Sequence, residues 1–206
     1  MEEVKHDTDR PNLPAQKKQR RSEIRRAERE LAPEYKAQAD AAITSRLLHL
    51  PEYTAAKTVF AFVGMKREID TTAFLNAVLA SGRRLCVPLC TGEGIMEAKE
   101  IRSLDSLIPG TWGILEPDAA CPTVPAEEID FAVLPCVSCS TDGRRLGQGG
   151  GYYDRFLVKY RGASALICRE ALMTDDIPTE PHDIRLPLVV SENGVYRNPT
   201  EAPAQI

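Results

Sequence analysis

Asp130-Phe131-Ala132-Val133-Leu134-Pro135, then Arg144-Arg145-Leu146-Gly147-Gln148-Gly149-Gly150-Gly151-Tyr152-Tyr153-Asp154-Arg155, then Ala163-Ser164-Ala165-Leu166-Ile167-Cys168, is the stretch whose reading decides the fold. The first segment is a short apolar run closed by proline, the mark of a buried strand. The second is a glycine loop that leads into a helix from about Tyr152 to Tyr160. The third is another buried strand. Short apolar strands alternating with helices predict an α/β fold, in which helices cover both faces of a mainly parallel sheet. Ligands of such sheets bind beyond the carboxyl ends of the strands, and the glycine loop follows the Phe131–Leu134 strand at such a place. Glycines let the backbone approach a ligand closely. Free N–H groups, a helix N-terminus and Arg144 and Arg145 together make a phosphate cradle. Asp154, at the far end, is placed to hold the metal that phosphates bring. The loop is not a Walker A loop, because Tyr152 follows Gly151 where lysine would stand. No acidic residue closes a following strand, so the loop does not make a convincing dinucleotide fingerprint either.

The pattern continues outward from that unit. Thr58–Val63 and Arg84–Leu89 read as further strands. Asp70 is placed to cap a helix over Thr72–Ala80, closed by Gly82. Residues 95–101 read as an edge strand or hairpin arm, and Ser103–Leu107 as a short helix. Leu188–Val190 reads as an edge strand, and Gly194–Tyr196 as the completion of a hairpin. Pro33 starts a helix with the apolar stripe Tyr35, Ala39, Ala42, Ile43, Leu47 and Leu50, which Pro51 stops. Before it, a basic run from Gln16 to Arg29 carries Ile24, Ala27 and Leu31 at helical spacing. The expectation is a single three-layer αβα domain over residues 16–197, with a mainly parallel, mixed-edge, twisted sheet. Residues 1–15 read as a disordered extension and 198–206 as a polar tail.

With 206 residues, the chain can bury one real core. Its 43% hydrophobic and 27% charged residues are ordinary for a soluble protein. A net charge of -4 gives no general pull toward nucleic acid or an anionic membrane. No run reaches the ~20 apolar residues of a membrane span. The expected setting is a reducing cytoplasm, with free thiols and a monomeric chain. Cys136-Val137-Ser138-Cys139 has the spacing of a zinc or redox pair. Zinc needs about two more ligands, and His6, His49 and His182 lie far off in sequence. The pair is therefore expected as small buried residues at a strand end.

The segment Arg145-Leu146-Gly147-x-Gly149-x-Gly151-Tyr152-Tyr153-Asp154-x-x-Leu157 resembles the signature of the 5-formyltetrahydrofolate cyclo-ligase family. Lys17-x-x-x-Arg21 is similar to that family's N-terminal basic motif. Phe62 through Thr71, Trp112-Gly113-Ile114-Leu115-Glu116-Pro117 and Asp130 through Pro135 are similar to further family segments in the same order. The resemblance spans roughly residues 16–196. It implies an enzyme that uses ATP and Mg²⁺ to close 5-formyltetrahydrofolate into 5,10-methenyltetrahydrofolate. It also implies roles. Lys17, Arg21, Arg145, Gly147, Gln148, Gly149, Gly150, Gly151, Tyr152 and Tyr153 would bind ATP, and Asp154 would bind Mg²⁺. Met65, Glu68, Trp112, Tyr152 and Tyr153 would bind the folate, and Arg145, Tyr153 and Asp154 would serve catalysis. His182-Asp183 resembles a family segment near the C-terminus, with Asp183 supporting the site or a turn.

The chain departs from its relatives in places. Gln148 and Gly150 stand where some relatives carry basic residues, and Cys139 and Ser140 where relatives often carry an aromatic and an aspartate. Lys18, Arg20, Arg25, Arg26 and Arg29 read as solvated surface. Three other readings compete: a family member that binds ATP or folate without turnover, a nucleic-acid module built on residues 17–29, and a sugar-phosphate isomerase. The overall acidity and the absence of a basic or aromatic stripe elsewhere oppose the second.

Overall fold

The computed structural model describes residues 12–110, 113–180 and 183–198. Five helices are seen among them: α1 (Leu13–Glu30), α2 (Pro33–Leu48), α3 (Pro51–Ala55), α4 (Thr72–Ala80) and α5 (Tyr152–Lys159). The strands of the main sheet are β1 (Thr58–Ala61), β2 (Arg84–Gly92), β3 (Ile95–Ile101), β6 (Thr123–Val124), β7 (Phe131–Leu134), β10 (Ala163–Ile167), β11 (Leu188–Val190) and β12 (Val195–Arg197). Two small hairpins lie outside it: β4 (Ile108–Pro109) with β5 (Leu115–Glu116), and β8 (Ser138–Cys139) with β9 (Arg145–Leu146).

The sheet order is β12-β11-β10-β7-β1-β2-β3-β6. Pairing is parallel from β11 through β2 and antiparallel at both edges. This is the mixed-edge α/β sheet that the strand–helix alternation predicts. One edge expectation is corrected, and the hairpin alternative for residues 95–101 holds. Leu188–Val190 is not an edge strand, because Val195–Arg197 pairs along its outer side. Residues 95–101 form a hairpin arm with β2, and β6 covers their far side.

Alternation along each strand divides the core in two. Val59, Ala61, Phe131, Val133 and Ile167 face Ile43, Leu47, Phe74 and Val78 of α2 and α4. Phe60, Ala132, Leu134 and Leu166 face α1 and α5, where Phe60 stacks on Phe156 at 4.7 Å between ring centroids. Each buried Val, Leu, Ile or Phe among them contributes about 1.5–3 kcal/mol, so helices that are marginal alone are held by these contacts.

Helix and strand ends follow local chemistry. α1 starts at Leu13, ahead of the expected boundary at residue 16, because the Asn12 side chain accepts the Ala15 N–H at 3.2 Å. The expected disorder of residues 1–11 and the tail from 199 onward lie outside the described residues. β1 ends two residues before Val63, since the Thr71 hydroxyl donates to the Phe62 carbonyl. Asp70 caps α4 from one place further out than expected: its carboxylate accepts the Thr72 N–H at 2.9 Å, while Thr71 occupies the cap position.

Candidate active site

The parallel strands β1, β7 and β10 end side by side, and the segments that leave them diverge around a cavity of about 630 Å³. Met65 and Glu68 line it beyond β1, Cys136 and Val137 beyond β7, and Cys168 and Arg169 beyond β10. Gln148 enters from the glycine loop, and Ile24 and Arg25 from α1.

The wall made by residues 64–70 rests on a buried ion pair. Arg169 donates from Nε and Nη2 to the two Asp40 carboxylate oxygens at 2.7 and 2.8 Å. Asp40 also accepts the Asp70 N–H at 2.9 Å, and Arg169 donates to the Glu68 carbonyl at 2.9 Å. Sequence reasoning passed over both residues, because nothing in their spacing joins position 40 to 169. The Glu68 carboxylate accepts the Met65 N–H at 3.1 Å and the Gln148 side-chain amide at 3.2 Å. Burial nevertheless outweighs those donors and holds the Glu68 pKa above the ordinary carboxylate value.

The opposite wall is the glycine loop. Gly149 and Gly151 take φ of 102° and 70°, backbone that L side chains rarely adopt. Gly151 caps α5 from that left-handed position without a side-chain bond. Among the described residues the N–H groups of Gly151 through Asp154 have no backbone acceptor, the four that an open helix start leaves before Arg155 bonds back to the Gly151 carbonyl. Cations of α1 close over this loop. Arg21 Nε donates to the Gly147 carbonyl at 2.7 Å, and Arg25 Nη2 to the Gln148 side chain at 2.8 Å. Burial, with the neighbouring Arg25 and Arg145 charges, presses the Arg21 pKa down, and Asp154 partly offsets this.

Arg145 donates to Asp154 at 2.5 Å and to the Pro135 carbonyl at 3.3 Å, with its guanidinium 5.8 Å from the Tyr153 ring centroid. The Arg145 side chain is largely buried, whereas Asp154, in the first turn of α5, is exposed. Tyr153 is wedged beside Phe60, and burial with the Glu68 charge raises its phenol pKa far above the ordinary range.

The structure thus brings Arg21, Gly147–Gly151, Arg145, Tyr153 and Asp154 together, with Met65, Glu68 and Gln148 on the cavity. Tyr152 stands apart. It lines a second cavity of about 560 Å³ between β3 and α5, together with Arg155 and Lys159. Lys17 donates to Asp183 at 2.8 Å and Glu180 at 3.1 Å. Burial opposes its charge, but those carboxylates win and raise its pKa. Asp183 also accepts the Glu180 N–H, so it does support a turn. Trp112 and His182 lie outside the described residues. Arg25, read from sequence as surface, lines the cavity and bonds Gln148; its place one turn beyond Arg21 on the same helix was the available signal.

Comparison with known proteins agrees with this architecture. Residues 14–192 match the model of the 5-formyltetrahydrofolate cyclo-ligase family. The mitochondrial 5-formyltetrahydrofolate cyclo-ligase of Arabidopsis thaliana is 29% identical over 208 residues, covering 87% of this chain and 75% of that protein. The 5-formyltetrahydrofolate cyclo-ligase of Escherichia coli K12 is 27% identical, covering 84% of this chain and 98% of that protein. The NMR structure of Aquifex aeolicus 5,10-methenyltetrahydrofolate synthetase superposes with a TM-score of 0.79 at 27% identity, over 92% of this chain and 96% of that one. With the family model spanning nearly all of the described fold, the chain belongs to the 5-formyltetrahydrofolate cyclo-ligase family, a family of ligases.

Proposed function

We propose that the protein cyclises 5-formyltetrahydrofolate to 5,10-methenyltetrahydrofolate with consumption of ATP, and that Gln148 marks the boundary between the two substrates. One observation carries this reading. Gln148 is bonded on one side to Arg25 of the cationic loop wall and on the other to Glu68 of the cavity. The cationic loop wall and the cavity therefore adjoin through a single side chain, which supports phosphate on one side of it and folate on the other.

An N-formyl oxygen is a poor leaving group. Transfer of the γ-phosphoryl group to that oxygen forms an O–P bond and releases ADP. N10 of the folate then attacks the activated carbon and loses its proton, and the C–O bond breaks to release phosphate. Such a transfer is governed by positioning and charge neutralisation. The open N–H groups at the start of α5 would take phosphate oxygens, with Arg21, Arg25 and Arg145 supplying positive charge. Tyr153 would brace Arg145 with its ring, and Tyr152 would cover Gly150, where an added Cβ would run into the Tyr152 ring. Met65 and Glu68 would hold the folate, with the Glu68 carboxylate toward the donor edge of the pterin. Lys17 would add its charge to the phosphate side from its bridge to Glu180 and Asp183.

Mg²⁺ fits the donor chemistry. Asp154 offers an exposed carboxylate, a hard oxygen ligand, beside those N–H groups. The ion would neutralise phosphate charge. This chain's part is to release Asp154 from Arg145 so that each meets its own opposite charge.

Purified protein given 5-formyltetrahydrofolate, Mg²⁺ and ATP should produce the absorbance of the methenyl product, and without ATP it should not. Folded protein that shows no ATP-dependent growth would sink the catalytic reading and leave only binding.

A further inference from the structure

Three cysteines outside the reaction just described meet in the floor of the cavity. The Sγ atoms of Cys136, Cys139 and Cys168 all lie within 4.8 Å of one another. Cys139 and Cys168 are buried, and Cys136 is half-buried. Their placement follows from the sheet. Leu134 of β7 stands opposite Leu166 of β10, so the residues two further along each strand, Cys136 and Cys168, arrive together on one face. Cys139 is folded back onto them by the hairpin of β8 with β9, where it pairs with Arg145. That hairpin is pinned twice more: Ser138 Oγ donates to the Leu172 carbonyl at 2.6 Å, and the Thr174 N–H donates to the Cys139 carbonyl at 3.0 Å. The three donors thus sit on braced backbone.

We propose that Cys136, Cys139 and Cys168 form a three-thiolate site for a thiophilic d10 cation, Zn²⁺ or Cu⁺, with its open side toward the cavity. Soft thiolates select these ions. Sulfurs on a tetrahedral zinc with Zn–S of ~2.3 Å stand about 3.8 Å apart, so the cluster needs to contract by at most about 1 Å. Cys136 and Cys168 line the cavity, which gives the ion an entry path and room for a water as fourth ligand on Zn²⁺. Cu⁺ would be held trigonally by the three sulfurs alone.

Both edge cysteines now donate to backbone carbonyls: Cys136 Sγ to Ile167 at 3.4 Å and Cys168 Sγ to Arg169 at 3.5 Å. An arriving ion replaces those weak bonds and displaces the thiol protons to solvent, with no change of oxidation state. The Arg145 guanidinium, on the Pro135 carbonyl beside Cys136, balances the net negative charge of a filled site. The sequence shows only the Cys136–Cys139 pair; the third ligand comes from a neighbouring strand some thirty residues on.

The test uses the full chain, reduced with a phosphine and stripped of metal. Zn²⁺ is titrated against a chromophoric chelator and Cu⁺ against its own colour-forming competitor, and the two arms decide which ion the site prefers. Cd²⁺ serves as a spectroscopic probe. The expected result is one equivalent bound and a thiolate-to-cadmium charge-transfer band of three-sulfur intensity. Cys136→Ser and Cys168→Ser should each weaken binding more than an outer-shell change does, by over about a hundredfold. Cys121→Ser, away from the cluster, should leave it unchanged. The wild-type cadmium spectrum keeps the test decisive should a buried variant fail to fold. Failure of both ions to compete overturns the proposal. So does affinity retained in the two serine variants, or a two-sulfur band.

Discussion

The two walls of the cavity are held by opposite means. Residues 64–70 hang on Asp40 and Arg169, both buried, whose polar atoms are taken up by each other and by loop backbone. The glycine loop is held by Arg21, Arg25 and Arg145, whose partners are a carbonyl, an exposed amide side chain and an exposed carboxylate. A buried pair cannot exchange partners without leaving a charge in low dielectric. Where the partners are themselves exposed, as Gln148 and Asp154 are, cations can exchange them at less cost. The fold therefore fixes the wall of residues 64–70 and leaves the glycine-loop wall free to hand its cations to an incoming anion.

The largest expected effect tests the fixed wall. Asp40→Ala leaves Arg169 buried and unpaired, and should lower unfolding free energy by about 3–5 kcal/mol in urea titration. Asp40→Leu combined with Arg169→Met should recover part of that loss, because no orphan charge remains. A loss in Asp40→Ala no greater than that of a surface change would erase the contrast between the walls.

The next effect belongs to the exchangeable wall. Arg145→Lys keeps the charge but loses the planar fork. We expect kcat/KM to fall about 10- to 100-fold, the equivalent of roughly 1.5–3 kcal/mol for a charged hydrogen bond. Thermal stability should move little. A variant that melts early with its turnover intact would place Arg145 with the structural residues instead. Arg25→Gln is smaller again. Its bond to Gln148 is exposed, so stability should change by under about 1 kcal/mol, while the KM for ATP rises about tenfold.

What could be read from the sequence divides along the same line. The glycine loop is local, and its flanks Arg145 and Asp154 announce themselves by spacing; the parallel core is local too, because its strands are short apolar runs. Arg21 was legible through a motif, and Arg25, one turn on, could have been. The Asp40–Arg169 pair was not legible, since contacts 129 residues apart are set by how helices pack on the sheet. The Cys168 partner of Cys136 and Cys139 was hidden for the same reason: strand register, absent from any local pattern, makes them neighbours. Tyr152 and Tyr153 are adjacent in the signature, yet helix geometry turns one toward the second cavity and the other into the core.

The smallest effect separates the walls by pH. Glu68 sits on the fixed wall, and burial raises its pKa above the ordinary value of 4.5 in the folded protein. The folded state then keeps a proton that the unfolded chain has already lost. Stability must fall as pH rises from the ordinary carboxylate range through the folded pKa, and become level above it. Glu68→Gln cannot titrate, so the variant should lack that descent and gain on wild type toward neutral pH. Urea unfolding of both proteins across several values between about pH 4.5 and 7 measures the difference in slope directly. An Arg25→Gln control should keep the wild-type descent, because its charge does not change over that range. If wild type and Glu68→Gln run parallel, the carboxylate is as well solvated as the loop opposite, and the fixed wall ends at the backbone of residue 68, short of its side chain.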